Sequence, residues 1–473
     1  MDLTPILPEI SLVGLAILVI ILDFFIRRKE TLLLVAVGGL AVPALLTATL
    51  IGRSGSYLFD TVVLDPYAVF FKFVFLLAAA LVLLASADYV DRFRLYDGEY
   101  YALILLSATG MMLMASTREL ISVYLALELA TIPLAVLAGL QKDARSAEAA
   151  LKYLILAGLS SAFLLYGMAI LFGLTGTTDL VGIGRGLPEA AGLNRGALAM
   201  ALVLLVAGFG FKISAVPFQF WAPDVYEGAP TPVTAYLSVA SKVAGFALVL
   251  RFFSTAFAGA LDWPLIFAVL SAFTMTLGNV VAFVQTNIKR LLAYSSIAAA
   301  GYIMVGLASG GDLGASGLIF FLLSYAFTNL GAFIAVTAIS QQVGSDDIAD
   351  YAGLARRAPL LAFALTFCLV SLLGIPPTAG FVAKFYLFAG AVQQGILWLA
   401  ILGVINSAIS AYYYIKVVRA MYLLEPKVTA PVKVSAPVAL ALAASVAGVL
   451  LVFIFAWPII GVTEAASRSL FSR

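Results

Sequence analysis

Long apolar runs separated by short polar breaks dominate this chain. A helix needs about 20 apolar residues to cross the roughly 30 Å hydrocarbon core of a bilayer. Fourteen runs of that kind lie at residues 6–26, 31–51, 66–87, 100–116, 119–140, 149–173, 197–222, 231–254, 264–285, 291–309, 314–340, 359–393, 397–421 and 437–460. Continuous runs exclude a transmembrane β-barrel, whose strands alternate over about ten residues. The pattern predicts an all-α polytopic membrane protein with about 14 transmembrane helices, which we number spans 1 to 14.

Prolines interrupt two of the predicted spans. Pro217 lies in span 7, and Pro376 and Pro377 lie in span 12, which at 35 residues is also unusually long. Proline removes a helical N–H donor, and within lipid the freed carbonyls need partners from protein or water. Spans 7 and 12 are therefore predicted to be broken helices. They are five spans apart and so cross in opposite directions, as corresponding broken helices do in the inverted repeats of transporters.

This arrangement divides the chain into four parts. Residues 1–99 form three N-terminal transmembrane helices, and residues 100–254 form a first antiporter-like repeat of spans 4 to 8. Residues 255–421 form a second, inverted repeat of spans 9 to 13, and residues 422–473 contain span 14. The matched units share no convincing residue-level identity, so this five-helix repeat is predicted from the order of the spans.

Basic residues concentrate on one side of the predicted bundle. With the N-terminus placed outside, sixteen Lys and Arg fall in inner loops and span ends, including Arg27-Arg28-Lys29, Arg92 and Arg94, and seven fall outside. Cytoplasmic loops are enriched in Lys and Arg, so both termini are predicted to lie outside. The two longest connections, around 174–194 and 341–358, are predicted to be loops.

Composition agrees with a lipid environment and excludes several cofactors. Hydrophobic residues make up 63% of the chain and charged residues 11%, compared with roughly 25% charged in soluble domains. The chain has no histidine and a single cysteine, Cys368, so it cannot hold haem through histidine, an iron–sulfur cluster through cysteines, or a Cys/His zinc site. We predict no metal site, and a net charge of +2 is too small to indicate nucleic-acid binding.

Four lysines fall inside spans, and an ionisable group at membrane depth costs a few kcal/mol on insertion scales. They are Lys72, Lys212, Lys242 and Lys384. Lys72 follows Pro66 by six residues and is predicted to reach the outer interface, which is a structural role. The other three lie far from polar ends or next to a break, and we predict that they are functional.

Glu128 is the one carboxylate placed centrally in a span. Burial disfavours the charged form of an ionisable group, and a nearby opposite charge restores it. A buried carboxylate and lysine can therefore be poised to exchange protons. The alternative is a static ion pair that fixes helix packing. The run Tyr294-Ser-Ser296 offers hydroxyls either to a hydrated path or to a polar contact between helices.

Motifs around the breaks resemble a known family. They are Phe211-Lys212-Ile-Ser-Ala-Val-Pro217, Trp221-Ala-Pro-Asp-Val-Tyr-Glu-Gly-Ala-Pro-Thr-Pro-Val-Thr234, Ser238-Val-Ala-Ser-Lys242-Val-Ala-Gly-Phe246, Asn287-Ile-Lys-Arg-Leu-Leu-Ala-Tyr-Ser-Ser296 and Gly374-Ile-Pro-Pro-Thr-Ala-Gly-Phe-Val-Ala-Lys384-Phe385. The chain is similar over nearly its whole length to the antiporter-like subunits of respiratory complex I. More narrowly, it resembles the subunit N family of bacterial NADH-quinone oxidoreductase, the counterpart of mitochondrial subunit 2.

The resemblance implies a proton relay within fourteen helices and inverted five-helix repeats. It implies that Glu128 and Lys212 form the input pair, that Lys242 is the central relay and that Lys384 is the terminal lysine. It also implies a subunit that binds neither NADH nor quinone and holds no cofactor of its own.

Three further positions enter by resemblance alone. Lys152 and Tyr294 match auxiliary positions of the family. Gln219 stands where family members often have histidine, so an imidazole relay cannot operate at the break in span 7. Water or nearby lysines would have to serve there.

The resulting hypothesis is a non-redox, proton-translocating subunit of complex I in the bacterial inner membrane, driven by quinone reduction in neighbouring subunits. Flavin, iron–sulfur clusters and quinone are expected in those partner subunits, and further antiporter-like subunits are expected beside it. Two alternatives remain: a subunit of a multi-subunit sodium/proton antiporter, and a non-conducting membrane scaffold.

Overall fold

The computed structural model describes residues 2–26, 29–90, 96–258, 261–426 and 432–471. Within these ranges, thirteen helices are long and apolar enough to cross a membrane: Thr4–Asp23, Glu30–Ala48, Pro66–Ala85, Asp97–Ser116, Leu120–Ala138, Ala144–Thr175, Arg195–Ile213, Thr231–Ala256, Trp263–Ala282, Ile288–Ser309, Gly311–Val343, Leu397–Leu423 and Ala436–Ile454. Helices Pro359–Leu373 and Ala379–Gln393 supply the fourteenth span, number 12. The predicted all-α membrane fold is confirmed. Arg27, Arg28, Arg92 and Arg94, on which the predicted sidedness partly depends, lie outside the described residues.

Polar residues at the span ends explain where several helices begin. The side chain of Asp65 accepts a hydrogen bond from the Ala68 N–H at 2.8 Å, and Asp143 accepts from the Ser146 N–H at 2.7 Å. Such capping satisfies a backbone donor that the first turn of a helix leaves free. The chain therefore enters its apolar runs with little unpaired backbone.

The connections contain more structure than the sequence predicted. Strands Gly55–Tyr57 and Val62–Leu64 form an antiparallel hairpin between spans 2 and 3. The predicted loop 174–194 is wrong, because it contains helix Leu180–Leu193. The second predicted loop, 341–358, contains a 3₁₀ turn at Ile348–Tyr351 and the short helix Leu354–Arg357.

Helix Leu180–Leu193 was obscured by its glycines. Leu180, Ile183 and Leu187 are buried at helical spacing, but glycine has low helix propensity. Gly184 is needed because a Cβ there would lie 2.5 Å from the Thr255 carbonyl oxygen of span 8. Tertiary packing therefore both requires the glycine and stabilises the helix that the glycine disfavours.

The C-terminal span ends before the predicted residue 460, and a further helix follows it. Helix Ala436–Ile454 is followed, after a bend at Phe455, by helix Ala456–Phe471. This terminal helix packs on the beginning of span 11, where the Ser467 hydroxyl donates to the Asp312 carbonyl at 2.9 Å. The sequence did not predict a separate helix there because its later turns are amphipathic rather than continuously apolar.

Both predicted breaks are present. Span 7 ends at Ile213, Ser214 adopts a left-handed conformation with φ 58°, and helix Trp221–Gly228 follows. Span 12 stops at Leu373 before the left-handed Gly374 and resumes at Ala379. The bonds Val216–Pro217 and Pro376–Pro377 are both cis.

Matched loop pairings lie at the starts of spans 5 and 10. The Leu120 N–H donates to the Thr178 carbonyl at 3.0 Å, and the Ile288 N–H donates to the Asp346 carbonyl at 2.8 Å. Isolated bridges join Glu119 to Asp179 and Asn287 to Asp347. Two inverted copies of one unit would produce this correspondence, and the division into repeats stays a prediction.

Spans 8, 10 and 11 form the centre of the bundle. Their most apolar stretches are 100%, 94% and 89% buried, whereas that of span 6 is 39% buried. A lysine on span 8 therefore lies deep within protein. Its direct contacts therefore come from neighbouring helices.

Candidate functional site

Lys242 occupies the buried centre of the bundle. Its side chain is 1% exposed, and its Nζ donates to the Ser296 carbonyl at 2.7 Å and lies 2.6 Å from the Ser296 Oγ. Both acceptors are neutral. A buried ammonium held by uncharged oxygens has little to compensate its lost hydration, so the site can lose its proton without leaving an unpaired anion behind.

A π-helical turn shapes the chain just before Lys242. Residues Leu237–Ser241 form this turn within span 8, and such turns often occur at functional sites. The Ser238 carbonyl accepts a hydrogen bond from the Tyr325 hydroxyl at 3.3 Å, and the Ser238 Oγ accepts from Asn329 Nδ2 at 3.0 Å. Because the π-helical turn interrupts the regular α-helical hydrogen bonding, the Ser238 carbonyl of span 8 can accept a hydrogen bond from span 11.

Tyr325 extends the contact chain from Lys242. Its hydroxyl donates to the Ser296 Oγ at 2.8 Å, so Lys242, Ser296 and Tyr325 form one continuous hydrogen-bonded string. Sequence reasoning suggested hydroxyls from Tyr294-Ser-Ser296 but did not identify Tyr325. Of that run, Ser296 contacts the lysine directly, whereas Tyr294 is half-buried.

A small cavity lies between Tyr325 and Lys384. It has a volume of about 20 Å³ for water-sized spheres, and a site of roughly 10–15 Å³ on this measure holds one water. Most of the residues that line it carry a hydroxyl group: Ser295, Tyr302, Ser324, Tyr325, Thr328, Ser371, Ser410, Tyr413 and Tyr414. The cavity therefore offers hydrogen-bond partners to water and is large enough to place it between the two lysine environments.

Lys384 is bound to the broken helix that contains it. Its Nζ donates to the Leu373 carbonyl at 2.9 Å and to the Ser407 Oγ at 3.1 Å. It also lies 4.4 Å from the ring centroid of Tyr302, a cation–π distance. The Leu373 carbonyl ends the first half of span 12, so the break supplies an acceptor for the lysine. These partners are again neutral.

The close crossing within span 12 requires a glycine. A Cβ at Gly380 would collide with the Ser371 carbonyl oxygen, and the Gly380 N–H donates to the Ser371 Oγ at 3.2 Å. The Ser371 Oγ also lies 2.9 Å from the Thr328 Oγ1. The two half-helices therefore meet directly at the wall of the cavity.

Lys212 lies between span 5 and span 8. Its Nζ donates to the Thr131 Oγ1 at 2.8 Å, and its side chain is 3% exposed. A Cβ at Gly245 would lie 3.1 Å from the Lys212 Cγ. Gly245 is one helical turn from Lys242, so the two lysines lie on adjoining turns of packed helices.

The break after Lys212 contains buried polar atoms. Gln219 is 4% exposed, and its Oε1 has no hydrogen-bond partner among the described residues; the Ser214 Oγ also lacks one. The same holds beside Lys242 for the Ser241 Oγ and the Asn329 Oδ1. Buried polar atoms in native proteins are hydrogen-bonded to protein or ordered water, so these positions favour a hydrated interior.

Glu128 is less buried than the sequence predicted. It is half-buried, and its carboxylate accepts a hydrogen bond from the Ser161 hydroxyl. Among the described residues it forms no ion pair within 4 Å, so Lys212 reaches Thr131, three residues along the same helix, instead of the carboxylate. Glu128 lies centrally in its span, as the sequence predicted, but is only half-buried because it shares a helix face with the exposed Leu125 and Ile132.

Lys152 belongs to a charged network outside the buried string. Its Nζ lies 2.9 Å from Asp224 Oδ2, and Arg290 lies 2.9 Å from Asp224 Oδ1. Partial burial by itself raises the pKa of Asp224, but the hydrogen bonds from Lys152 and Arg290 outweigh it and hold that pKa below its ordinary value. The network lines a surface cavity of about 230 Å³, so Lys152 is not part of the Lys242–Lys384 string.

Contrary to the prediction, Lys72 does not reach the membrane interface. It is 1% exposed, and its Nζ lies 2.8 Å from Glu9 Oε1 and donates to the Pro5 carbonyl at 2.8 Å. The prediction is wrong because span 1 brings a carboxylate to the lysine. The distance of Lys72 from the end of its span does not reveal such a partner. The structural role predicted for Lys72 agrees with this buried ion pair.

Sequence reasoning missed two further buried cations. Arg251 binds Asp65 in a bidentate pair with two distances of 2.9 Å, and Arg251 is 1% exposed. Lys289 is 4% exposed, donates to the Ala229 carbonyl at 2.8 Å and lies 3.8 Å from Asp346. Both sit near span ends, where basic residues ordinarily signal sidedness, so their burial has no obvious sequence signal.

No cluster of three or more His, Cys, Asp or Glu side chains suited to a metal ion occurs in the described part of the chain. The buried string instead consists of amines, hydroxyls and backbone carbonyls. Groups of this kind can pass protons, directly or through water.

The chain is similar to proteins of known family. The family model described as "NADH:quinone oxidoreductase/Mrp antiporter, TM" matches residues 117–410. A relative from Heliobacterium modesticaldum, named NADH-quinone oxidoreductase subunit N, is 48% identical over 412 residues, which cover 86% of each chain. One from Dehalococcoides mccartyi with the same name is 46% identical and covers 98% of each chain.

The chain belongs to the NADH-quinone oxidoreductase subunit N family. Among solved structures, a chain of respiratory complex I from Thermus thermophilus, determined with bound aureothin, is 33% identical with a TM-score of 0.83. The match covers 96% of this subunit N family member and 99% of that chain. The resemblance seen in the sequence motifs is thus confirmed along the whole chain, and so is its antiporter-like membrane fold.

Proposed function

We propose that this chain is the subunit N of a bacterial complex I and moves protons through the path formed by Glu128, Lys212, Lys242 and Lys384. The single observation that best supports this is the hydroxyl-lined cavity between the Lys242–Ser296–Tyr325 string and Lys384. Lys384 in the cavity wall and Lys242, which reaches the cavity through Ser296 and Tyr325, provide proton acceptors. The hydroxyls with water provide the connection.

The buried amines also interact through space. The Lys212 side chain packs one turn from Lys242 on span 8, and charges in a low-dielectric interior interact more strongly than in water. A charge on Lys212 therefore opposes one on Lys242. In our proposal, a change of charge at the input end displaces a proton toward Lys384.

Glu128 is placed to receive the driving signal. It is half-buried on a face of span 5 that also exposes Ile121, Leu125, Ile132 and Val136. A neighbouring subunit can therefore alter its electrostatic environment without entering this chain. Quinone reduction, with its flavin and iron–sulfur clusters, is assigned in this proposal to partner subunits, and both termini to the outer side of the inner membrane.

The test is proton pumping by the complete complex reconstituted in vesicles. Lys242→Ala and Lys384→Ala are compared with Lys416→Ala, a half-buried lysine that donates to the Gln285 carbonyl outside the path. We expect assembled complexes that pump poorly when either relay lysine is changed. Wild-type pumping in both relay variants would overturn the proposal.

The same vesicles separate the alternatives. The matching family model also covers Mrp antiporters, so sodium-dependent proton flux without NADH would indicate antiport instead. Glu128→Gln addresses a non-conducting scaffold. A scaffold containing this change is expected to assemble less well, whereas a conducting subunit is expected to assemble and pump poorly.

A further inference from the structure

An apolar groove runs along the outer surface of the helix bundle where spans 3 and 11 meet the terminal helix Ala456–Phe471. It has a volume of about 620 Å³. Its wall on span 3 extends from Pro66 to Leu77, and its other walls include Leu323 and Pro458. The bend at Phe455 redirects the terminal helix across span 3, so the groove is a product of the C-terminal fold.

The groove has the depth of one membrane leaflet. Pro66 to Leu77 is eleven steps along a helix, or about 16 Å at 1.5 Å per residue. Leu323 lies twelve residues into span 11, which begins on the same side of the bundle as span 3, and so marks a similar depth. Half of the roughly 30 Å hydrocarbon core is about 15 Å, so the groove ends near the bilayer midplane.

A single charged side chain lies at the shallow end. Arg53 lines the groove beside Gly52 and Pro66, and it is exposed. It forms no ion pair within 4 Å with any carboxylate of the described residues. The Asp2 carboxylate accepts a hydrogen bond from the Thr4 N–H instead. The cation is therefore available at the depth where lipid phosphates lie.

We propose that this groove is a binding site for one anionic phospholipid, with its acyl chains along span 3 and its phosphate at Arg53. A membrane-spanning helix would need contact along the whole hydrocarbon core, whereas the groove ends near the bilayer midplane. Its depth, its apolar walls and the cation at its mouth all match a lipid of one leaflet.

The experiment uses the complex purified from its native membrane and placed in nanodiscs that contain a photoactivatable phosphatidylglycerol at limiting amounts. Adducts are mapped by mass spectrometry on this chain. A parallel sample contains photoactivatable phosphatidylcholine, whose headgroup has no net charge. We expect phosphatidylglycerol adducts on the segments 66–77 and 456–465.

Two variants change the site in different ways. Gly461→Phe fills the groove, because nothing lies within 4 Å of a Cβ there, and Gly14→Phe is the matched control at a similarly open glycine of span 1. Arg53→Gln removes the cation. We expect Gly461→Phe to abolish the adducts, and Arg53→Gln to lower phosphatidylglycerol labelling about fivefold, the factor that one basic side chain contributes near an anionic surface.

The possible results distinguish a lipid site from an unoccupied groove and from a contact with another protein. Labelling that drops in Gly461→Phe but not in Gly14→Phe, with a preference for phosphatidylglycerol that Arg53→Gln abolishes, supports the site. Equal labelling in all variants overturns it. Cross-links from these segments to another subunit, or a complex that loses a subunit only in Gly461→Phe, show a protein in the groove and also overturn it.

Discussion

Two sets of buried cations in this chain differ in their partners. Lys72 and Arg251 are each paired with a carboxylate, Glu9 and Asp65 respectively. Lys242 and Lys384 are also buried, 1% and 7% exposed, but are bound to hydroxyls, carbonyls and an aromatic ring. A paired cation is fixed, because deprotonating it leaves an uncompensated buried anion. A cation with neutral partners has no such restraint, so burial alone does not distinguish a structural charge from a mobile proton site.

The largest expected effect is on the stability of the paired set. Arg251→Ala leaves Asp65 buried without its partner and should lower the free energy of unfolding by about 3–5 kcal/mol, measured by thermal denaturation of the purified protein. Arg251→Met with Asp65→Asn should recover most of that loss, because no charge is left buried and asparagine can still cap span 3. Normal stability in the Arg251→Ala variant would show that the Arg251–Asp65 pair is not required for the fold.

The next effect concerns transport rather than stability. Lys384→Arg keeps a positive charge, and the adjoining cavity gives the larger side chain room, but arginine does not deprotonate in proteins. Pumping should fall by at least about 100-fold, the low end of what positioned proton transfer contributes, while the complex still assembles. Lys416→Arg serves as the control. A Lys384→Arg complex that pumps normally would mean that this lysine acts only as a fixed charge.

A smaller effect is expected from the hydroxyl that joins Lys242 to Tyr325. Ser296→Ala removes the Oγ that both side chains contact, and a hydrogen bond to a charged group is worth about 1.5–3 kcal/mol. Pumping should therefore slow by about tenfold or more. Ser309→Ala, on the same helix, is the matched control because its Oγ bonds only the Val305 carbonyl of its own helix. Equal rates in the two variants would exclude Ser296 from the path.

The smallest effect extends the comparison to a pair in contact with water. The lowered pKa of Asp224 means that its ion pairs stabilise the fold above the unfolded pKa of about 3.9, and that this contribution is lost as pH falls through the lower folded value. At pH 5–8, Asp224→Asn should lower the free energy of unfolding by less than about 1 kcal/mol, which thermal denaturation shows as a slightly lower melting temperature. The difference should shrink below pH 4. A difference independent of pH would show that charge is not its cause.

The sequence was most informative where one physical constraint acts locally. A span needs a continuous apolar run, so the fourteen helices could be counted. Pro217 and Pro376 located both interruptions, although proline does not always end a span, since Pro133 lies inside helix Leu120–Ala138. The lysines at these breaks were identified by the cost of placing them in lipid. The charged partners of Lys72 and Arg251 were not, because Glu9 and Asp65 are distant in the chain and only helix packing brings them close.

By itself, then, the sequence determined the fold class, the broken helices and three of the buried lysines, Lys212, Lys242 and Lys384, because each follows from the solvation of a residue and its near neighbours. Tertiary structure decided what each charge touches. Helix packing pairs Lys72 with Glu9 and leaves Glu128 half-buried. It also brings Ser296 and Tyr325 into the hydrogen-bonded string of Lys242 and forms the hydroxyl-bearing cavity beside Lys384. The contacts of Lys72 join spans 1 and 3, and those around Lys242 and Lys384 join spans 8, 10, 11, 12 and 13. No local pattern in the sequence contains the geometry that brings separate helices together.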